Sequence, residues 1–482
     1  MRTLGYLLTQ LSIANTLENE VINDVVFDSR KAKTGSLFIA LAGSAFDGHD
    51  FLQLAHDQGC KFAVVEKEAQ VPEGMQAFKV ADTREALAKL ACAWYDNPSS
   101  QLQLIGVTGT NGKTTTTTLL FQLFRDLGYA CGLISTVVNK INTEEFSATH
   151  TTPDPFAINQ LLRRMVDEGC SYCFMEVSSH AIHQKRIFGL SFKGGVFTNI
   201  THDHLDYHKT FSDYIHAKKG FFDGLHKEAF ALVNSDDKHS DIMVQNTQAK
   251  VYRYALNMLA DFKGAILENS IEGIAMKINN VELHSRLIGR FNAYNLLAVY
   301  GVGSLLGIDE QTLLIGISKL EAVAGRFQFF TSTKGITVVV DYAHTPDALE
   351  NVLKTIQHLV SESNKIITVI GCGGDRDKEK RPKMAQIAQA RSHQVILTSD
   401  NPRSENPQDI ILEMESGVIK ESIVPVISIL DRKHALHTAS LLAQSGDIVL
   451  VAGKGHEAYQ EIKGVRFDFN DFEIAKELFN QN

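Results

Sequence analysis

No apolar run in this sequence approaches the ~20 residues of a membrane-spanning helix, so a transmembrane protein is not expected. Cysteine is scarce: six in 482 residues, scattered, which argues against a disulfide-stapled scaffold and for a reducing compartment. An excess of basic charge is missing too. Lys and Arg number 47 against 56 Asp and Glu, for a net charge of −9, which leaves no bulk field to hold nucleic acid or an anionic membrane. The opening residues, MRTLGYLLTQLSIAN, carry one Arg and a broken apolar run but no extended apolar core or small-residue cleavage site, and they do not read as a signal peptide. The expectation is a cytoplasmic protein with no nucleic-acid and no membrane partner. One CxxC is present, Cys170 and Cys173, but no second pair follows it; it leads into the apolar SYCFMEV and reads as structural.

What is there is ordinary globular composition, 44% hydrophobic and 21% charged, in a chain long enough for two to four domains at ~100–200 residues each. Up to residue 98, short apolar strands (SLFIAL, KFAVVE) mix with helical stretches (DFLQLAHDQG, TREALAKLACAWY), and the turn-rich DNPSS at 96–100 reads as a linker. From QLQLIGVTG to about residue 324, strands such as YCFMEVSS, GGVFTNI and EAFALVNSDD alternate with helices, the pattern of a parallel sheet covered on both faces. Near LEAVAGRFQFF the pattern restarts as four strand-then-loop units. The expected fold class is α/β in three domains: a small α/β N-terminal domain over 1–98, a central P-loop parallel-sheet ATPase domain over 99–324, and a Rossmann-like C-terminal domain over 325–482.

GVTGTNGKTTTTT, 106–118, carries the strongest chemical signal. An apolar strand, a glycine loop and Lys-Thr-Thr opening a helix form phosphate-binding architecture, because backbone N–H groups of the loop and helix start point at anionic oxygens. The cradle is Gly109, Thr110, Asn111, Gly112, Lys113, Thr114 and Thr115. Lys113 is expected on the β/γ-phosphates of ATP and the Thr114 hydroxyl on Mg²⁺. The match to G-x-x-x-x-G-K-[ST] is broken at Val107, where the first Gly should stand. The later threonines of the run read as packing or capping residues.

Glu176 ends the strand YCFMEV, where ligands bind in open α/β sheets and where the companion carboxylate for Mg²⁺ is found in P-loop enzymes. FTNITHDHLDYHKTF, 197–211, invites a metallo-hydrolase reading through His202, His204 and Asp206, but Tyr207 breaks the H-x-H-x-D-H pattern; His204 is the one residue of the cluster expected to function. Lys218 and Lys219 in DYIHAKKGFF read, on their own, as a solvated helix face. Four loops, DYAHTPD, GCGGDRDKEKRP, SDNPRSENP and AGKGHEAYQ, each follow a strand and make a rim. Arg376 and Arg403 suit a carboxylate and Glu457 an ammonium, so the rim could hold a zwitterion.

GTNGKTT, TTPDP, MEVSSHAIHQKR, FTNITHDHLDYH, HAKKGFF, GRFNAYN, AGRF, DYAHTPD, GGDRDKEKRP, DNPR and GKGHE occur in that order. The series resembles the Mur ligases of peptidoglycan precursor synthesis, and most closely their tripeptide-forming branch. The resemblance runs from FDSR at 27–30 to GKGHE at 453–457. It implies a ligase that adds the third amino acid to UDP-MurNAc-L-Ala-D-Glu, with ATP cleaved to ADP and phosphate through an acyl phosphate. It also implies site residues. Ser29 and the loop 44–46 would face the UDP end, and Thr151, Thr152, Ser178, Gln184 and Arg186 the muramoyl-dipeptide. Lys218 matches the family's carbamylated lysine, so that Thr114, Glu176, His204 and Lys218 form the Mg²⁺ set, with Lys113, His204 and Lys218 as the catalytic group. Asn295, Arg326, Asp341 and His344 match positions near ATP. Arg376, Asp400, Asn401, Pro402, Arg403, Gly453 and Glu457 match the amino-acid site. Two departures are His150, where some relatives have Asn, and SAF at 44–46, less polar than in other members.

DNPR resembles the version of the branch that takes meso-diaminopimelate, whose distal carboxylate lysine lacks; Arg403 and Arg376 could pair with it. The partners expected are UDP-MurNAc-L-Ala-D-Glu and meso-diaminopimelate, and the expected state is a monomer. The rivals are an L-lysine-adding version, a D-Ala-D-Ala-adding or folylpolyglutamate-type ligase, a P-loop ATPase module, and the metal-dependent hydrolase.

Overall fold

The computed structural model describes the whole chain except residues 15–18, 44, 45, 149, 362 and 482, and the side chains of 205 and 206. Three principal sheets organise it. A four-stranded parallel sheet runs Asp24–Val26, Ser36–Ile39, Phe62–Val65, Gln76–Lys79. An eleven-stranded sheet spans Gln103 to Ser285, and a six-stranded sheet spans Gln328 to Ala452. Among the described residues no helix is long and apolar enough to cross a membrane.

The strand Gln103–Thr108 sits in the middle of the large sheet, parallel to Tyr172–Glu176 on one side and to Gly194–Phe197 on the other. Later strands are added on both sides, so a crevice opens at its C-terminal end, where open α/β sheets bind ligands. The crossover helices bury Leu119, Leu120, Leu123 and Phe124 on one face and Ile158, Leu162 and Met165 on the other.

The sheet is not parallel throughout. Phe262–Ser270, Gly273–Ile278 and Val281–Ser285 form an antiparallel meander at one edge, and Val138–Ile141 pairs with Glu144–Ser147 as a hairpin at the other. The strand–helix alternation expected over 99–324 missed both. Short strands joined by two-residue turns such as Asn279–Asn280, each with positive φ, carry no helical signal between them.

In the six-stranded sheet the order is Gln328–Thr331, Thr337–Asp341, Ile448–Ala452, Ile366–Cys372, Gln394–Ser399, Val426–Ile429, all parallel except the first. The four loops singled out in the sequence therefore leave the same, C-terminal, edge of this sheet. Cys170 and Cys173 are buried and unbridged, and burial pushes both thiols up, Cys170 to about 11. They are inert packing residues, as read from the sequence.

Candidate functional site

The phosphate loop is built by two helices that crowd it. Gly112, at φ +86°, opens the helix Lys113–Asp126, and a Cβ there would lie 2.7 Å from Asn295 Oδ1 on the helix Arg290–Leu305. Asn295 is buried and holds its place by accepting from the Thr116 hydroxyl (3.3 Å) and donating to Asn292 (2.9 Å). Thr116 and Thr117 are buried in the helix; Thr117 donates back to the Lys113 and Thr114 carbonyls, which is packing rather than chemistry.

Two lysines converge on one carbonyl. Lys113 Nζ donates to Gly109 O (2.9 Å) and Thr110 O (2.7 Å), and Lys218 Nζ donates to the same Gly109 O (2.7 Å). Desolvation lowers the pKa of both, and the neighbouring Lys113 lowers that of Lys218 further. Lys218 lies on the helix Phe211–Asp223, is 1% exposed, and sits 4.8 Å from the centre of the Tyr214 ring. The solvated-face reading of this lysine is overturned: its helix turns that position inward against the loop. Lys219 is buried as well and forms an i,i+4 pair with Asp223, so the solvated-face reading fails for both.

Glu176 enters from the adjacent strand. Its Oε1 accepts from Thr136 N (2.7 Å), while Oε2 is buried with no hydrogen-bond partner among the described residues. Thr152 donates to the Glu176 carbonyl (2.8 Å) and accepts from Ser178 N (3.1 Å), and Arg186 donates to the Thr152 carbonyl (2.8 Å). Thr151 receives the Thr136 hydroxyl. Gln184 accepts two bonds from Arg186 and donates to Tyr207 Oη, so it orients the arginine from behind.

His204, at φ +55°, lies beside Asp203 (3.4 Å) and His180 (ring centres 4.9 Å); burial lowers its pKa, with the Asp203 carboxylate opposing. His202 instead stacks on Phe211, and His208 Nε2 meets Ser179 Oγ at 3.0 Å. His202 and His204, the two histidines of the hydrolase reading, thus face different neighbours, and the side chain of Asp206 lies outside the described residues.

The C-terminal sheet closes over this cradle. Arg326 donates to the Thr114 hydroxyl (3.1 Å) and its guanidinium lies 4.5 Å from the Tyr342 ring centre. Asp341 accepts from Phe327 N (2.7 Å); burial raises its pKa to about 6 against the pull of Arg326. His344 Nδ1 bonds the Tyr342 carbonyl (2.9 Å), and burial pushes its imidazole down to about 4. Asp347 takes bonds from Asn111 (3.0 Å) and Thr201 (3.2 Å), tying the first turn of Pro346–Leu359 to the phosphate loop.

At the far end, Asn401 donates to Glu457 Oε2 (2.6 Å) and accepts from Lys454 Nζ (3.2 Å); Lys454, fully buried, also meets Glu457 (3.4 Å) and the Tyr459 carbonyl. Burial and the Asp400 charge raise the Glu457 pKa. Gly453, at φ +115°, leaves room that Asp400 needs: a Cβ would lie 2.6 Å from Asp400 Oδ2. Arg403, at φ +52°, donates to Gly374 O (2.7 Å), Pro402 backs onto Gly374, and Arg376 is exposed beside them.

One cleft of about 1540 Å³ joins these groups, from Thr110–Thr115 through Thr151, Thr152, Glu176, Ser178, Arg186, His204 and Lys218 to Asp400, Asn401, Arg403, Gly453 and Glu457. Asn295, Arg326, Asp341, His344 and Arg376 line it as well. Ser29 and Gln184 are not in its lining. Ser29 is buried in the turn Ser29–Lys31 of the N-terminal unit; Ser44 and Ala45 lie outside the described residues, and Phe46 is exposed. His150 is exposed on the cleft wall. Sequence reasoning passed over Asp203, Asp347 and Lys454. All three stand inside motifs it quoted, but nothing in their spacing sets them apart.

Family models cover most of the chain. The Mur ligase catalytic domain matches residues 21–95, the Mur ligase middle domain 107–303, and the glutamate ligase domain 325–455. A UDP-N-acetylmuramoyl-L-alanyl-D-glutamate–2,6-diaminopimelate ligase of Phocaeicola vulgatus is 54% identical, over 96% of this chain and 97% of its own length. This chain belongs to the Mur ligase family. Proteins of the same description are 54% identical in Cytophaga hutchinsonii (100% and 99% covered) and 41% identical in Bacillus licheniformis (98% and 98%). A solved structure described in the same words shares 34% identity with a TM-score of 0.69, covering 97% and 96% of the two chains. A MurF structure from Acinetobacter baumannii, at 16% identity and TM-score 0.62, shares the fold. The cleft of this Mur ligase therefore runs between its middle and glutamate ligase domains.

Proposed function

We propose that the protein is an ATP-dependent, ADP-forming ligase that joins meso-diaminopimelate to UDP-MurNAc-L-Ala-D-Glu in the cytoplasm, acting as a monomer. The observation that carries this reading is one cleft with a lysine-bearing phosphate loop at one end and an Arg403–Asn401–Glu457 rim at the other. Whole-length likeness to proteins described as diaminopimelate ligases supports it. The units 1–98, 99–324 and 325–482 would serve the UDP end, ATP and the amino acid in turn, with Ser29 in the first.

The chemistry needs a leaving group, because a carboxylate does not acylate an amine. A terminal carboxylate oxygen attacks the γ-phosphorus of ATP, ADP departs, and an acyl phosphate forms. The incoming amine attacks the acyl carbon, phosphate leaves, and the nitrogen gives up its proton. In this reading the chain supplies position and charge. Lys113 neutralises the phosphates from the loop, with Asn295 holding the loop's shape and Arg326 clamping it from the other sheet. Asp341 and His344 flank the nucleotide. Thr151, Thr152, Ser178 and Arg186, with Gln184 behind, orient the dipeptide carboxylate.

A divalent cation fits beside them, since Glu176 keeps one buried oxygen without a partner. Mg²⁺ would be held by Glu176, Thr114, His204 and a carbamate on Lys218, and would screen phosphate charge. The desolvated Lys218 amine favours its neutral form, whose lone pair adds to the carbon of CO₂ as one proton leaves, turning a cation into an anionic ligand. At the rim, Arg403 and Arg376 would take the distal carboxylate, and Glu457 and Asn401 the ammonium, with Asp400, Pro402 and Gly453 shaping their loops.

The test is phosphate release from ATP with UDP-MurNAc-L-Ala-D-Glu and either meso-diaminopimelate or L-lysine, with mass spectrometry of the product. Turnover with diaminopimelate alone is expected. Turnover with lysine would discard the Arg403 account, and phosphate release independent of any acceptor would discard the ligase.

A further inference from the structure

Beneath the rim lies an ion pair that touches neither cleft nor solvent. Arg432 opens the helix Arg432–Leu442 and Asp471 opens Asp471–Asn480; both side chains are 0% exposed. The pairing is bidentate, Nε to Oδ1 at 2.8 Å and Nη2 to Oδ2 at 2.7 Å. The guanidinium has further donors, and they go to two backbone carbonyls: Nη2 to Ala452 O (3.0 Å) and Nη1 to Ser399 O (3.4 Å). Ser399 is the last residue of Gln394–Ser399 and Ala452 the last of Ile448–Ala452. These are the points at which the chain leaves the sheet to form the DNPR and GKGHE loops.

We propose that the Arg432–Asp471 pair is a positioning device for amino-acid binding: one guanidinium, held in plane by Asp471, sets the spacing between the loop that carries Asn401 and Arg403 and the loop that carries Gly453 and Glu457. The proposal rests on the amino-acid reading of the rim. A planar fork with fixed donor directions suits this task, whereas a flexible ammonium does not. The ion pair by itself is weak evidence for a role in stability. A buried ion pair against well-packed apolar residues is often energetically neutral, and the apolar cluster formed by Ala435, Leu436, Ala475 and Phe479 on the same two helices could extend into its place. Charge does not explain it alone. Asp400, Glu457 and Asp471 face the two buried cations Arg432 and Lys454. Removing Arg432 and Asp471 together leaves the net charge of that group unchanged.

That neutrality makes the double variant R432M/D471L the decisive test, in the full chain, with KM measured for each substrate in turn and Tm alongside. The expected result is a Tm near the parent's, a rise of about tenfold or more in the diaminopimelate KM, and KM values for ATP and the UDP-dipeptide within about twofold of the parent's. An unchanged diaminopimelate KM in a folded double variant overturns the proposal. Should the double variant not fold, Arg432→Lys decides: it keeps the charge but not the fork, so a raised amino-acid KM supports the positioning role and an unchanged one overturns it. If the parent uses a different acceptor amino acid, the functional reading falls, and the same comparison run on that acceptor's KM still decides the role of the pair.

Discussion

The two ends of the cleft are built differently. The phosphate cradle is contiguous: seven residues of one loop and helix start, backed by a lysine from a single further helix. Two lysine amines crowd onto one of its carbonyls. The amino-acid rim is assembled from the ends of three parallel strands, and its side chains hold one another: Asn401 on Glu457, Lys454 on both, Arg403 on the Gly374 carbonyl. A cradle of backbone fails by losing its charge. A rim of mutually held side chains fails by losing its shape.

The largest effect is expected at the cradle. Lys113→Ala should lower kcat on the order of 10³-fold with little change in Tm, read from phosphate release and thermal unfolding, because a desolvated cation aimed at developing charge is lost while the fold keeps its glycine turn. A variant that kept more than a tenth of parental kcat would erase the distinction between the two ends.

At the rim, Glu457→Gln should raise the diaminopimelate KM about 10- to 100-fold while the ATP KM holds, as expected for removing one charge-assisted bond. Equal changes in both KM values would mean that the ends are not separable. Gly453→Ala sharpens the contrast by altering shape without charge. At φ +115° and 2.6 Å from Asp400, the added methyl should cost roughly 1–3 kcal/mol in denaturant unfolding and raise the diaminopimelate KM.

The smallest effect concerns pH. His344 resists protonation down to about pH 4 in the folded chain, against an ordinary value of 6.5. Between those values the unfolded chain binds the extra proton, so this group's contribution to stability is present above 6.5 and is lost as pH falls toward 4. His344→Gln should flatten the stability profile in that window relative to the parent; an identical slope would show that other groups govern it.

Much of this was legible in the chain. The strand, glycine turn and helix start around GTNGKTT are legible because they are local, lying in consecutive residues. DNPR and GKGHE are legible as strand-end loops for the same reason. Lys218 was not legible from its own neighbourhood. HAKKGFF offers two adjacent lysines, and only the packing of the helix decides that both are buried, one on Gly109 and the other on Asp223. The antiparallel meander escaped because alternation of strand and helix was read through a region of short strands and tight turns.

By itself the sequence determined the α/β class, the glycine turn between strand and helix, and the family, because each is written in short ordered motifs. Tertiary structure alone decided which lysine meets the loop and that Asp347 closes one sheet on the other. It also decided that Arg432, 29 residues beyond Arg403, lies beneath its loop. Those contacts join residues far apart in the chain, and no spacing within the sequence encodes a distance that only packing creates.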